Sequence, residues 1–178
     1  MMRKLSVLAS ALFAFGTPTI VLADDWTGFY AGVHGGYSDG EVSALGVSFS
    51  DEAFAYGFQV GYNYQTTNNW VFGGELSYGT AEYSLAGFSE DFDTIRAKFK
   101  AGYAMGTTMA YGIIGYANID DGDDNADGIT FGLGLGYKAT DNTILTFELL
   151  RDDTDVNIGG FDVDVEQTSL LIGASYKF

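Results

Sequence analysis

Apolar residues recur at every second position through most of this chain. The segment 54–65 is the clearest case. Phe54, Tyr56, Phe58, Val60, Tyr62 and Tyr64 fall on one parity, and Ala55, Gly57, Gln59, Gly61 and Asn63 on the other. Segment 129–138 repeats the pattern, with Ile129, Phe131, Leu133, Leu135 and Tyr137 set against Thr130, Gly132, Gly134, Gly136 and Lys138. A period of two is that of a β-strand with two unlike faces. Eight such runs are readable, at about 26–37, 54–65, 70–79, 94–105, 109–119, 129–138, 143–151 and 167–178. Most are close to the nine to eleven residues of a tilted membrane strand.

The connections alternate in length. Those at 66–69, 106–108 and 139–142 are short and rich in Thr, Asn, Asp and Gly, as tight turns require. Those at 38–53, 80–93, 120–128 and 152–166 are long and predict loops. Short turns at one end and long loops at the other are the signature of an antiparallel up-and-down barrel. The predicted fold is therefore all-β: eight antiparallel strands closed into a transmembrane barrel. Both chain ends then lie on the short-turn side.

Composition agrees with strands and opposes helices. There are 25 Gly, 14 Phe and 12 Tyr, and no Cys. The one proline, Pro18, precedes every predicted strand, so none interrupts a ladder. Carboxylates avoid the strands. Of 24 Asp and Glu, all but Asp24, Asp25, Glu75, Asp141 and Glu148 fall in the four long connections. A band free of charge is what lipid demands. The opposite face holds Gly, Ser, Asn and Thr, a filling suited to a narrow polar lumen. Trp26, Trp70, Tyr78, Tyr111 and Tyr176 are candidates for the interfacial aromatic girdles.

The rare strand charges then face inward. Glu75, Arg96, Lys98, Lys100 and Glu148 share the lumen parity, with Tyr30, His34 and Gln59. Eight strands leave an interior only wide enough for side chains. Charges there must be paired. The expectation is that Arg96, Lys98 and Lys100 meet Glu75 and Glu148, either as a plug of ion pairs or as an ion-selective constriction.

At the other end, Arg3-Lys4 precedes an apolar stretch over 5–15, and Val21-Leu22-Ala23 offers small residues to a signal peptidase. Residues 1–23 read as a cleaved signal peptide and 24–178 as the barrel domain. Loss of Arg3 and Lys4 would take the formal charge from −16 to −18. That charge excludes nucleic acid as a partner. It also bars direct contact with lipopolysaccharide phosphates unless divalent cations bridge them.

The chain resembles the small proteobacterial outer-membrane β-barrel proteins, akin to the OmpA transmembrane domain and the opacity proteins. The resemblance is carried by Trp26-Thr27-Gly28-Phe29-Tyr30-Ala31-Gly32, Gly57-Phe58-Gln59-Val60-Gly61-Tyr62-Asn63-Tyr64, Trp70-Val71-Phe72-Gly73-Gly74-Glu75, Thr94-Ile95-Arg96-Ala97-Lys98 and Tyr176-Lys177-Phe178. It implies a monomeric barrel in the outer membrane, inserted by the assembly machinery, with a structural, lipopolysaccharide-contacting or adhesive role. It also implies that Gly173, Tyr176 and Phe178 form the C-terminal assembly signal. Two positions depart from the family pattern: Leu171 replaces the polar start of that signal, and Leu150 stands where an inward Arg is common.

Other chemistry is thinly represented. Asp123, Asn125 and Asp127 match the front of a calcium loop, but Gly134 stands where the twelfth-position Glu belongs. A solvated acidic stretch is the favoured reading. The one histidine, His34, faces the lumen without a readable serine or carboxylate partner, so no catalytic group and no cofactor are expected. A cation-selective channel and a loop-borne adhesin remain the alternatives to a structural barrel.

Overall fold

A computed structural model describes the backbone of residues 25–44, 47–85, 88–120, 125–158 and 161–178. Its side chains are described at 25–39, 53–81, 93–118, 127–154 and 166–178. Eight strands follow one another: β1 (Gly28–Ala44), β2 (Val47–Gln65), β3 (Trp70–Leu85), β4 (Phe88–Met105), β5 (Thr108–Asp120), β6 (Asn125–Lys138), β7 (Thr143–Ile158) and β8 (Phe161–Lys177). Each pairs antiparallel with the next, and β1 closes on β8 from Tyr30↔Lys177 to Ser43↔Asp164. Closure leaves no edge, which is the condition for a sheet to sit in hydrocarbon.

The apolar parity points outward. Phe54, Phe58, Tyr64, Leu76, Phe99, Leu133 and Ile172 are all exposed. Outward rings meet across strands, as in Phe29–Tyr62 at 4.7 Å and Trp70–Tyr103 at 5.8 Å between centroids. Such cross-strand pairs are the stabilising unit of a sheet face. The lumen parity is buried. Two of its glycines are needed for close approach, because a Cβ on Gly61 would strike the Tyr30 ring and one on Gly134 the Tyr111 ring.

The short turns lie where the sequence places them. Gly106 takes φ 67° in the two-residue turn from Met105 to Thr108, a conformation that favours glycine. Asn69, at φ 65°, closes the β2–β3 turn.

The long connections differ from expectation. Most of their length is strand. β1 and β2 stay paired to Ala44↔Val47, β3 and β4 to Leu85↔Phe88, and β7 and β8 to Ile158↔Phe161. The reason is that nothing in them breaks a ladder. They lack proline, and β-forming residues share register positions, Val42 with Phe49 and Val156 with Val163. A 17-residue strand such as β1, at ~3.3 Å per residue and ~40° tilt, rises ~43 Å against an apolar band of ~25 Å. The hairpins therefore stand well clear of the band as paired arms.

Candidate functional site in the lumen

Lys98 and Lys100 lie two apart on β4 and so share its inward face. Register sets Glu75 of β3 beside Lys98, and Glu148 reaches in from β7. The four form a closed ring. Lys98 Nζ lies 2.5 Å from Glu75 Oε1 and 2.8 Å from Glu148 Oε2. Lys100 Nζ lies 2.5 Å from Glu75 Oε2 and 2.8 Å from Glu148 Oε1. The Lys98–Glu75 approach is a charge contact only, since Glu75 Oε1 accepts no well-aligned hydrogen bond.

Two tyrosines complete the ring. Tyr30 OH donates to Glu75 Oε2 at 2.7 Å, and Tyr111 OH donates to Glu148 Oε1 at 2.8 Å. Their rings flank Lys100, whose Nζ is 5.8 and 5.1 Å from the two centroids. Every member is buried, and the charges sum to zero. A buried set is tolerable only when each ion is paired and hydrogen-bonded, and this one nearly meets that condition.

Arg96 departs from expectation. It meets neither Glu75 nor Glu148 but clamps Asp152, with Nη2 at 2.6 Å from Oδ2 and Nε at 3.1 Å from both carboxylate oxygens. Asp152, assigned above to a loop, is fully buried on β7. Parity could have found it, because Asp152 follows Glu148 and Leu150 on the inward face. Gln59 donates to Ser175 Oγ at 3.0 Å. His34 is buried over Gly57 and Gly79, and its Nδ1 has no partner.

Two girdle candidates are corrected. Tyr111 points inward, as described. Trp26 is 0% exposed and fills the short-turn mouth of the barrel. On β5 both parities carry apolar residues, so alternation could not assign Tyr111 to a face. Trp26 precedes β1 and is not bound by strand parity. Trp70 and Tyr176 are exposed on the outer face, and Tyr78 is half-buried there. Leu150 and Leu171, which depart from the family pattern, are both inward and belong to the buried apolar cluster that also contains Trp26.

The remaining candidates are dispersed. Asp123 lies outside the described residues, and so does the side chain of Asn125. Asp127 is bound instead to its neighbours: hydrogen bonds from Tyr116 and then Asn118 hold its carboxyl below the usual range. Among the described residues no three His, Cys, Asp or Glu are grouped to hold a metal ion. Gly173 faces inward, where a Cβ would strike Thr146 Oγ1. Tyr176 and Phe178 face outward with rings 5.2 Å apart.

A closed antiparallel eight-stranded barrel, apolar outside and filled with paired charges, defines a transmembrane β-barrel protein. The chain matches the outer membrane protein beta-barrel domain over residues 5–178 and belongs to that family. It is therefore an outer-membrane protein. It is 28% identical over 213 aligned positions to the 31 kDa outer-membrane immunogenic protein of Brucella melitensis biotype 1, covering 90% of this chain and 88% of that protein. Among solved structures it resembles Neisserial surface protein A, with TM-score 0.55, 22% identity, and 85% and 98% of the two chains covered. It also resembles Ail, the attachment invasion locus protein of Yersinia pestis, with TM-score 0.53, 18% identity, and 85% and 99% covered. At these identities the two structures share the fold alone.

Proposed function

We propose that the protein is a structural and surface component of the outer membrane whose lumen is occluded. The reading rests on the ring of Glu75, Lys98, Lys100 and Glu148, which spans an interior that eight strands make too narrow for a second file of atoms. In this reading residues 1–23 are a signal peptide removed on export, and the protein is a monomer. The short turns are periplasmic and the arms extracellular. The C-terminal strand, through Gly173, Tyr176 and Phe178, engages the assembly machinery. The outer face contacts membrane lipid and lipopolysaccharide, with divalent cations bridging arm carboxylates to phosphates. The chemistry is non-enzymatic.

Planar-bilayer recording tests occlusion. The expected trace has no stable open state. Sustained cation-selective currents would replace this reading with that of a channel.

A second reading is supported by the arms, which lift paired backbone clear of the band and could present a binding surface. One Ail structure holds a sulfated heparin analogue, sucrose octasulfate. The acid-rich arms here would repel such a polyanion, so the partner class this reading calls for is cationic. Replacing the arms with short neutral turns should remove surface binding while the barrel still inserts.

A further inference from the structure

We propose that residues 25–27 form a strap that seals the short-turn mouth of the barrel, with Trp26 as its stopper. The strap leaves β1 at Gly28, where φ is 143° and a Cβ would crowd Lys177 and the Phe178 carbonyl. Only glycine takes that backbone readily. From there the chain crosses the mouth. Trp26 N donates to Gln65 Oε1 at 2.8 Å, at the end of β2. Its Nε1 donates to the Gly106 carbonyl at 3.2 Å, in the β4–β5 turn. The far edge of its ring lies on Gly136 of β6, where an added Cβ would be 3.2 Å from Cη2 and Cζ3. The Asp25 carbonyl accepts from Lys138 Nζ at 3.2 Å and from Lys177 Nζ at 2.5 Å, on β6 and β8. Anchors on β2, the β4–β5 turn, β6 and β8 surround the opening.

The strap is also locked locally. Thr27 N donates to Asp25 Oδ1 at 2.8 Å, and Gln65 N donates to Thr27 Oγ1 at 3.1 Å. Around the indole, Val71, Ala104, Met109 and Ile144 are buried with it. The indole is therefore seated in an apolar cluster, ringed by the polar anchors of the strap, with its one N–H satisfied as a buried tryptophan requires. Hydrophobic constrictions exclude ions by a mechanism unlike that of paired charges. The lumen thus has two barriers in series, and neutralising the ion ring alone opens no path.

The chain lacks cysteine, so single reporters can be placed cleanly. Ala104→Cys sits in the mouth and Ser169→Cys at the opposite end of the lumen. The folded barrel in lipid nanodiscs is treated with a membrane-impermeant maleimide. A buried thiol labels only through local opening, so Trp26→Gly should speed labelling of Ala104→Cys by about tenfold or more. Labelling of Ser169→Cys should stay the same. If Trp26→Gly yields no heat-modifiable barrel, Gly28→Ala keeps the indole but strains the exit of the strap, and the same acceleration is expected. Ala104→Cys that labels as fast with the native strap as without it, or that stays protected in both variants, overturns the proposal. Sustained currents through the wild-type protein would overturn the seal together with occlusion, since barriers in series conduct only when both are open, whereas a silent bilayer with an unprotected Ala104→Cys would overturn the seal alone and leave occlusion by the ion ring standing.

Discussion

Arg96 and Arg151 show how differently one residue type behaves at two depths. Arg96 is buried in a bidentate clamp on Asp152. Arg151 lies on the outer rim, partly exposed, 2.9 Å from Asp153 and 2.6 Å from Glu166. Removing one partner of a buried pair strands the other charge and costs about 3–5 kcal/mol, whereas an exposed pair contributes about 0–1 kcal/mol. Arg96→Met and Lys100→Met should each lower stability toward urea in lipid by roughly the first amount, and Arg151→Ala by the second. Removing a lysine and a glutamate together, as in Lys98→Met with Glu75→Met, should cost less than either change alone. Heat-modifiable mobility across a urea series measures all six variants, the Lys98→Met and Glu75→Met singles included. Parity alone placed Glu75, Lys98, Lys100 and Glu148 inside. It could not say which acid Arg96 meets, because partners across a lumen depend on stagger around the whole ring, which no single strand encodes.

The arms carry a conflict at the scale of elements. Register sets Asp39 against Glu52, Glu82 against Asp91, Asp93 against Asp120, and Asp155 against Asp164. Like charges directly opposite one another weaken a ladder. Millimolar calcium should therefore slow backbone hydrogen exchange in the arms relative to chelator, leaving the membrane band unchanged. Equal exchange in both conditions would refute cation bridging between these opposed carboxylates. These stretches read as loops because acid-rich composition resembles loop composition. The absence of proline was the better guide. The strap makes a second prediction at this scale. The hydrogen bond from Thr27, helped by Lys177 and Lys138, holds the Asp25 carboxyl below its ordinary value of 3.8. A lowered carboxyl stabilises the fold above its unfolded pKa, and that contribution is lost as pH falls through the folded one. With Trp70→Phe, Trp26 is the single tryptophan. Its quenching by acrylamide should be low and flat from pH 8 to about 5, rising only below about pH 4.

For the molecule as a whole, the end of the chain separates what holds the barrel together from what delivers it. Phe178 is 73% exposed on the outer face, and its side chain meets the Tyr176 ring edge-on. Its backbone N–H donates to the Phe29 carbonyl at 2.9 Å, a bond that survives any side-chain change. Phe178→Ala therefore removes the ring contact with Tyr176 and leaves the backbone closure intact, and its effect on stability should stay within about 1.5 kcal/mol, the range of one aromatic pair. A recognition role would appear elsewhere. If the terminal aromatic is read during insertion, Phe178→Ala should sharply reduce the amount of protein in the outer membrane of cells. The same variant refolded from urea into lipid vesicles should reach the native mobility shift at the wild-type yield. Equal losses in cells and in vesicles would mean that the residue serves the fold. No loss in either would remove Phe178 from the assembly signal and leave Gly173, whose inward face has no room for a Cβ, to a purely structural account.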